Sequence, residues 1–404
     1  MGQSPSSDDY NQEQIGLPFL QGNADFTELH PVPRVWCNTA NKITQSGDLL
    51  LSVRAPVGAV NIADQAYGIG RGLCAIRAEK TNPKLLFYFL LAMNEELNSN
   101  GTGSTYTAIS VDDVRNIYIL NIPLPEQQAI ADFLDRKTAQ IDTLIEKKQR
   151  QIDLLQEQRT ALVNHAVTKG LNPDVRMKDE KSDFFPVIPQ NWIKTRLGYL
   201  CNQIADGPHY SPEYVDDGIM FISARNVKVD RWEFDSAKYI TEEEYQKICQ
   251  RIIPAKGDVL YTKGGTTGVA RVVDFDEPFQ VWVHIIVLKP KNEKVNPYFL
   301  AYALNSTPCY EQSQLFTRGA TNNDLGVTRV VNIELGLPPI DEQVEIVNHL
   351  NQQTEKIDNL IHSYENYIDL LQEYRTALIS EAVTGKIDVR TAETTVHEYP
   401  AGTM

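Results

Sequence analysis

The sequence predicts an α+β protein: two mixed α/β domains separated by two long antiparallel helices, arranged as a pseudo-twofold internal repeat. Three observations carry this prediction. Pro123–Thr168 and Pro339–Thr384 align without a gap at an offset of 216 residues, and both copies have helical periodicity. The segments ahead of them echo one another more weakly, with short apolar runs bounded by glycine and proline. A polar, charged stretch, Leu171–Asp183, interrupts the chain between the two halves. The resulting order is a first mixed domain (1–122), a long helix (123–170), a linker (171–185), a second mixed domain (186–336), a second long helix (337–385) and a tail (386–404).

The repeated helices are the clearest element. The first copy reads IDTLIEKKQRQIDLLQEQRTALVNHAVT from Ile141, and the second reads IDNLIHSYENYIDLLQEYRTALISEAVT from Ile357. Each opens on proline and acid, which suit the first turn and the positive end of the helix dipole. Gly170 and Gly385 supply stop signals. Ile141, Leu144, Ile145, Ile152, Leu155 and Leu162 form one apolar face. About 40 residues at 1.5 Å each make a rod roughly 60 Å long, which must pair to bury such a stripe. Arg159 and Arg375 recur mid-helix, where a contact with a partner protein competes with a salt bridge between the helices.

Upstream, Gly47-Asp-Leu-Leu matches Gly257-Asp-Val-Leu, with Gly58 and Gly268 following. Asn82-Pro and Asn296-Pro match at helix starts, and Gly103, Thr105, Asn116 match Gly319, Thr321, Asn332. DLLLSV and VWVHIIVL read as buried strands. The second half carries Phe185-Pro-Val-Ile-Pro-Gln-Asn-Trp192 and onward before Gly207, whereas Gly2-Gln-Ser-Pro lines up near Gly207 itself. By self-alignment the first domain is expected to lack about 20 residues at its front.

At 404 residues the chain suits two domains. Its five scattered cysteines point to a reduced, cytoplasmic protein without disulfides or zinc, and no stretch is apolar enough for a membrane span. The net charge of −15 looks unfavourable for nucleic acid, but its distribution matters. Residues 336–404 carry 4 basic against 12 acidic residues, whereas residues 186–335 carry 16 against 18. The second domain is therefore close to neutral, residues 1–122 with 8 basic against 12 acidic are mildly acidic, and DNA binding remains open.

Variable domain, repeated helix, variable domain, repeated helix is an order that resembles the specificity subunit of type I restriction-modification systems. Supporting motifs are Pro189-x-x-Trp192-x-x-x-x-Leu197-Gly198, the Gly-Asp-[Leu/Val]-Leu…Gly loop of each half, and the Pro-[Leu/Ile]-[Pro/Asp]-Glu-Gln lead into each helix, from Pro123 and from Pro339. The resemblance implies that each variable domain reads one half of a bipartite, asymmetric target in double-stranded DNA. It implies that the helices set the spacing and dock two methyltransferase subunits, with a restriction and translocase subunit joining the assembly. S-adenosylmethionine, ATP and Mg would sit on those partners, and no cofactor on this chain. Two other readings stay open: a coiled-coil scaffold that binds only protein, and an orphan or antirestriction protein of the same build.

Base readout calls for Arg or Lys against guanine and Asn or Gln against adenine. That chemistry singles out Lys263, Thr266 and Thr267 in the glycine-rich loop after a strand, and Arg54 in the matching loop of the first half. Arg225, Asn226 and Lys228 form a second cluster. Tyr106 and the pair Asn322 and Asn323 lie at matching positions in the two halves, and His209 and Tyr210 sit on a further loop. Each competes with a purely structural reading as a turn or solvated loop. Catalysis in this chain finds little support. Asn82-Pro-Lys-Leu and Asn296-Pro-Tyr-Phe lack the second proline of an adenine methyltransferase motif, Gly-Gly-Thr-Thr-Gly lacks the lysine of a phosphate loop, and Gly68-Ile-Gly-Arg-Gly72 lacks dinucleotide spacing.

Overall fold

A computed structural model describes residues 1–99, 108–318 and 324–390. The chain divides into two compact units, Met1–Gln149 with Glu365–Met404, and Arg150–Tyr364. Each unit thus holds one mixed domain and a portion of both long helices, the α+β arrangement expected from the repeat.

In the first unit the apolar run after Gly47 forms the strand Leu49–Ser52, buried at all four residues. It is the centre of an antiparallel three-stranded sheet, between Val60–Ile62 and Leu73–Ile76. A second, four-stranded sheet runs in the order Tyr10–Asn11, Val35–Cys37, Leu17–Leu20, Gly68–Ile69, its last pair parallel. The helix Pro83–Ala92 is capped by Asn82, whose side chain accepts from the Lys84 and Leu85 N–H groups.

The second unit repeats this plan. Val259–Thr262 lies between Ala270–Val272 and Ile285–Pro290, and Ile219–Ile222 between Lys238–Ile240 and Phe279–Val281. Asn296 caps Pro297–Leu304 as Asn82 caps its counterpart. The run VWVHIIVL is not one strand: Val281 ends Phe279–Val281, Trp282, Val283 and His284 form a turn, and Ile285 begins the next strand.

Two features belong to the second unit. Cys201–Asp206 adds a fourth strand beside Ile285–Pro290. Ile193–Arg196 pairs with Glu334–Leu337, covered by the fully buried Trp192. The first unit's counterpart of Glu334–Leu337 leaves Tyr118, Ile119 and Leu120 exposed, with no strand beside them among the described residues. The segment expected as a plain linker also contains structure, since Met177–Asp179 pairs with Val187–Pro189.

The long helices span Leu124–Lys169 and Ile340–Val383. Each is followed by a glycine at positive φ, 77° at Gly170 and 74° at Gly385, the left-handed end that side chains with a Cβ resist. Within the first unit the helices are antiparallel. Asp142 pairs with Arg375 while Lys148 sits over Tyr367, and Ile130, Phe133 and Leu134 share a core with Leu378, Ile379 and Ala382. In the second unit they are again antiparallel. Arg159 pairs with Asp358, and Val163, Ala166 and Val167 share a core with Ile346, Val347 and Leu350. Each mixed domain is tied to a helix by a glutamine. Gln127 Oε1 accepts from the Asn82 N–H at 2.7 Å, and Gln343 Oε1 from the Asn296 N–H at 2.8 Å. This fixes the loops of each domain relative to a rigid rod within its own unit.

Candidate nucleic-acid interface

The loop that follows the central strand of each unit is built the same way twice. In the second unit the Thr262 hydroxyl donates to the Thr266 carbonyl and accepts from the Val269 N–H at 2.9 Å. In the first, the Ser52 hydroxyl donates to the carbonyls of Arg54 at 3.0 Å and Pro56 at 2.9 Å. The next residue of each is held by the same backbone bonds. Lys263 N–H donates to His284 O at 2.9 Å, and Val53 N–H to Gly72 O at 2.9 Å. The register therefore equates Ser52 with Thr262, Val53 with Lys263, and Arg54 with Gly264, whose isolated bridges to Ala108 and Asp324 also correspond.

That register corrects the expectation for Lys263. Its position points into the domain, and the residue is only 3% exposed. Lys263 Nζ lies 2.8 Å from Asp206 Oδ2 and 3.3 Å from Asp324 Oδ1. Arg251 also pairs with Asp206, and His209 Nε2 is 3.2 Å from it. Burial alone would raise the Asp206 carboxyl, but hydrogen bonds from Lys263 and Arg251 outweigh it and hold the pKa below the usual range. Such an ammonium, buried and paired with two carboxylates, ties the loop to the strand beneath it instead of presenting a charge at the surface.

Asn226 is a second correction. It is wholly buried, its carbonyl oxygen accepts from the Ser223 N–H at 2.8 Å, and its amide donates to Glu233 O at 2.8 Å. Those bonds occupy the groups a base would use. Its neighbour Arg225 is exposed, while Lys228 is half-buried with Nζ 3.3 Å from Glu233. Thr266 is exposed and Thr267 half-buried, the carbonyl of the latter accepting from Gln314 Nε2 at 3.2 Å. Tyr210 is exposed but donates its hydroxyl to Glu244 and lies under Lys247. Arg54 is exposed. Tyr106, Asn322 and Asn323 lie outside the described residues.

Arg159 and Arg375, expected to meet a partner, are engaged within the protein. Arg159 Nε donates to Asp358 at 2.9 Å and Arg375 Nε to Asp142 at 2.9 Å, so the competing reading as helix-pair salt bridges holds. The repeat itself was the available signal, since Asp142 and Asp358 recur with the same offset as the arginines.

Sequence reasoning passed over three residues beside these loops. Arg71 is exposed on the turn Gly70–Gly72 in the first unit. It lines a cleft of about 380 Å³ with Ser4, Tyr10, Gln21, Asn23 and Arg54. The corresponding turn of the second unit carries Trp282 and His284, stacked edge to face at 4.9 Å. His284 Nδ1 is buried with no hydrogen-bond partner among the described residues. Among the described residues no helix is long and apolar enough to cross a membrane.

Comparison with known proteins bears on both units. The family model described as "Type I restriction modification DNA specificity domain" matches residues 5–154 and 189–366. The putative type I restriction enzyme MjaX specificity subunit of Methanocaldococcus jannaschii is 39% identical over 170 residues, spanning 42% of this chain and 39% of the relative. The type I restriction enzyme EcoBI specificity subunit of Escherichia coli is 21% identical over 399 residues, 94% of this chain and 82% of the relative. A solved chain from work on complex assembly and conformational transition of the type I R-M system shares the fold, with a TM-score of 0.70 and 18% identity over 92% of both chains.

Proposed function

Since this chain belongs to the family of type I restriction-modification DNA specificity domains, we propose that each of its two units reads one half of a bipartite target in double-stranded DNA. The observation that carries this reading is duplication: the same strand, loop and turn recur in both units with different side chains on them. An asymmetric target read in two parts needs one scaffold presenting two chemistries. The long helices, about 1.5 Å per residue, act as the ruler between half-sites that recur about 34–36 Å apart per turn of duplex.

The chain is non-catalytic in this reading. It docks two methyltransferase subunits and, in the restricting assembly, the restriction and translocase subunits. S-adenosylmethionine, ATP and Mg are bound by those partners. In this reading the chain works in the cytoplasm, beside those partners.

The test is co-expression of the full chain with a cognate methyltransferase subunit in a host lacking adenine methylation, followed by modification-sensitive sequencing. A two-part motif with methylated adenines in both halves is the expected result. Failure to form a complex, or methylation without sequence preference, overturns the reading.

A further inference from the structure

We propose that Arg71 is a specificity-determining residue that reads a guanine in the half-site of the first unit; this rests on the DNA-reading function above. The turn that carries it is fixed from several sides. Gly70 N–H donates to Leu20 O at 2.8 Å, Leu73 N–H to Gly70 O at 3.0 Å, and Arg71 N–H to Ser4 Oγ at 3.2 Å. Gly72 O accepts from Val53 N–H at 2.9 Å. A Cβ on Gly72 would come 2.6 Å from Gln21 O, so the turn lies pressed against the neighbouring strand's end.

The backbone is thus immobilised while the side chain stays exposed, without an ion-pair partner among the described residues. With the backbone already fixed, only side-chain freedom is given up when the planar fork meets the O6 and N7 acceptors of guanine, and the fork makes two bonds for that loss. The cleft around it supports base contact over phosphate contact alone. Gln21 and Asn23 bring amides that match base edges, and Arg54 on the same cleft supplies charge for the backbone.

The second unit strengthens the assignment. Its equivalent turn, located by the Lys263 N–H to His284 O bond, carries Trp282-Val-His284 and no arginine. By that register Val283 stands where Arg71 does, so one framework position holds a guanine-type reader in one unit and an apolar side chain, flanked by aromatic rings, in the other. Asymmetric readout requires such a difference.

The experiment selects bound sequences from a random duplex DNA library, using the full chain with its methyltransferase subunit, for wild type, Arg71→Ala and Arg71→Lys at two salt concentrations. Arg71→Ala is expected to lose about 10- to 100-fold discrimination at a single guanine in one half-site. The other half-site and the salt slope stay unchanged, and Arg71→Lys restores little, because an ammonium cannot make the fork. Uniform weakening with a salt slope smaller by about 0.9, rescued by Arg71→Lys, would make Arg71 a phosphate contact and overturn the proposal. An unchanged motif, or loss of both half-sites together, overturns it as well. If wild type enriches no motif, the DNA-reading function itself fails, a result distinct from all of these.

Discussion

The two units put opposite residues at one framework position. Where the first has Val53, 2% exposed in an apolar core, the second has Lys263, 3% exposed in an ionic cluster. The backbone bonds around the two are the same. What differs is the neighbourhood: the strand Cys201–Asp206, found in the second unit, brings Asp206 beneath the loop. The lesson is that a basic residue in a glycine-rich loop is not thereby a DNA contact. Its partners decide, and in these loops and turns the exposed side chains without a partner among the described residues are Arg54 and Arg71 in the first unit and Thr266 in the second.

The comparison breaks first at Asp206. Asp206→Ala leaves Lys263 in the interior with Asp324 as its one carboxylate partner among the described residues, and removes the carboxylate that Arg251 pairs with. Removing one member of a buried pair typically costs about 3–5 kcal/mol. A loss of that size is expected in chemical unfolding monitored on the second unit, while the first unit's core, with Val53 in the same place, is untouched. A change below about 1 kcal/mol would mean that the ionic cluster is solvated and the loop is not stiffened by it.

A subtler contrast lies one strand away, at Asp48 and Asp258 of the repeated Gly-Asp motif. Burial raises both carboxyls. Asp48 receives two bonds of 2.8 Å from the Arg77 guanidinium, and these bring its pKa below the usual range. Asp258 receives one bond of 2.6 Å from Lys289, and burial wins, leaving its pKa raised. The signs for stability are opposite. Asp48 contributes stability that is present above the unfolded-state pKa and is lost as pH falls through the folded one. Asp258 favours its protonated form, so its contribution is greatest below the unfolded-state pKa and declines as pH rises through the folded one. Lys289→Arg should convert the second case toward the first, a change on the order of 1 kcal/mol, the size of one added charge-assisted bond. Unfolding midpoints followed across the acid range should show the variant keeping stability that wild type loses as pH rises; superimposable curves would refute the account.

The sequence disclosed the large features because they repeat or obey local rules. The helix ends follow from Gly170 and Gly385, and the helices Pro83–Ala92 and Pro297–Leu304 from their Asn-Pro caps. The burial of Lys263 was legible too, once Ser52 is set against Thr262 residue by residue, since Val53 marks that position as inward-facing. Asp206 as its partner was not legible, because the contact joins strands brought together only by the sheet. Arg71 lies in Gly68-Ile-Gly-Arg-Gly72, a glycine pattern with no local sign of a base reader; the tie between Gly72 and Val53 that places it beside Arg54 exists only in the fold. Asn226 stood in a Ser-x-x-Asn capping pattern, a local sign that its amide was already committed.

The smallest expected effect is the sharpest probe of the pseudo-twofold relation. Arg159–Asp358 and Arg375–Asp142 are the same pair at the same 2.9 Å in the two units. Their surroundings differ: the side chains are 18% and 35% exposed in the first pair, against 33% and 53% in the second. Water screens the more open pair, so double-mutant cycles should give a larger coupling for Arg159–Asp358. Both should lie within about 0.2–1 kcal/mol, the range of solvent-accessible ion pairs. The difference should shrink at high salt, where the open pair loses most. Equal couplings insensitive to salt would mean that the arginines act through their packed stems instead of their charges, and that the repeat preserves shape at these positions more than electrostatics.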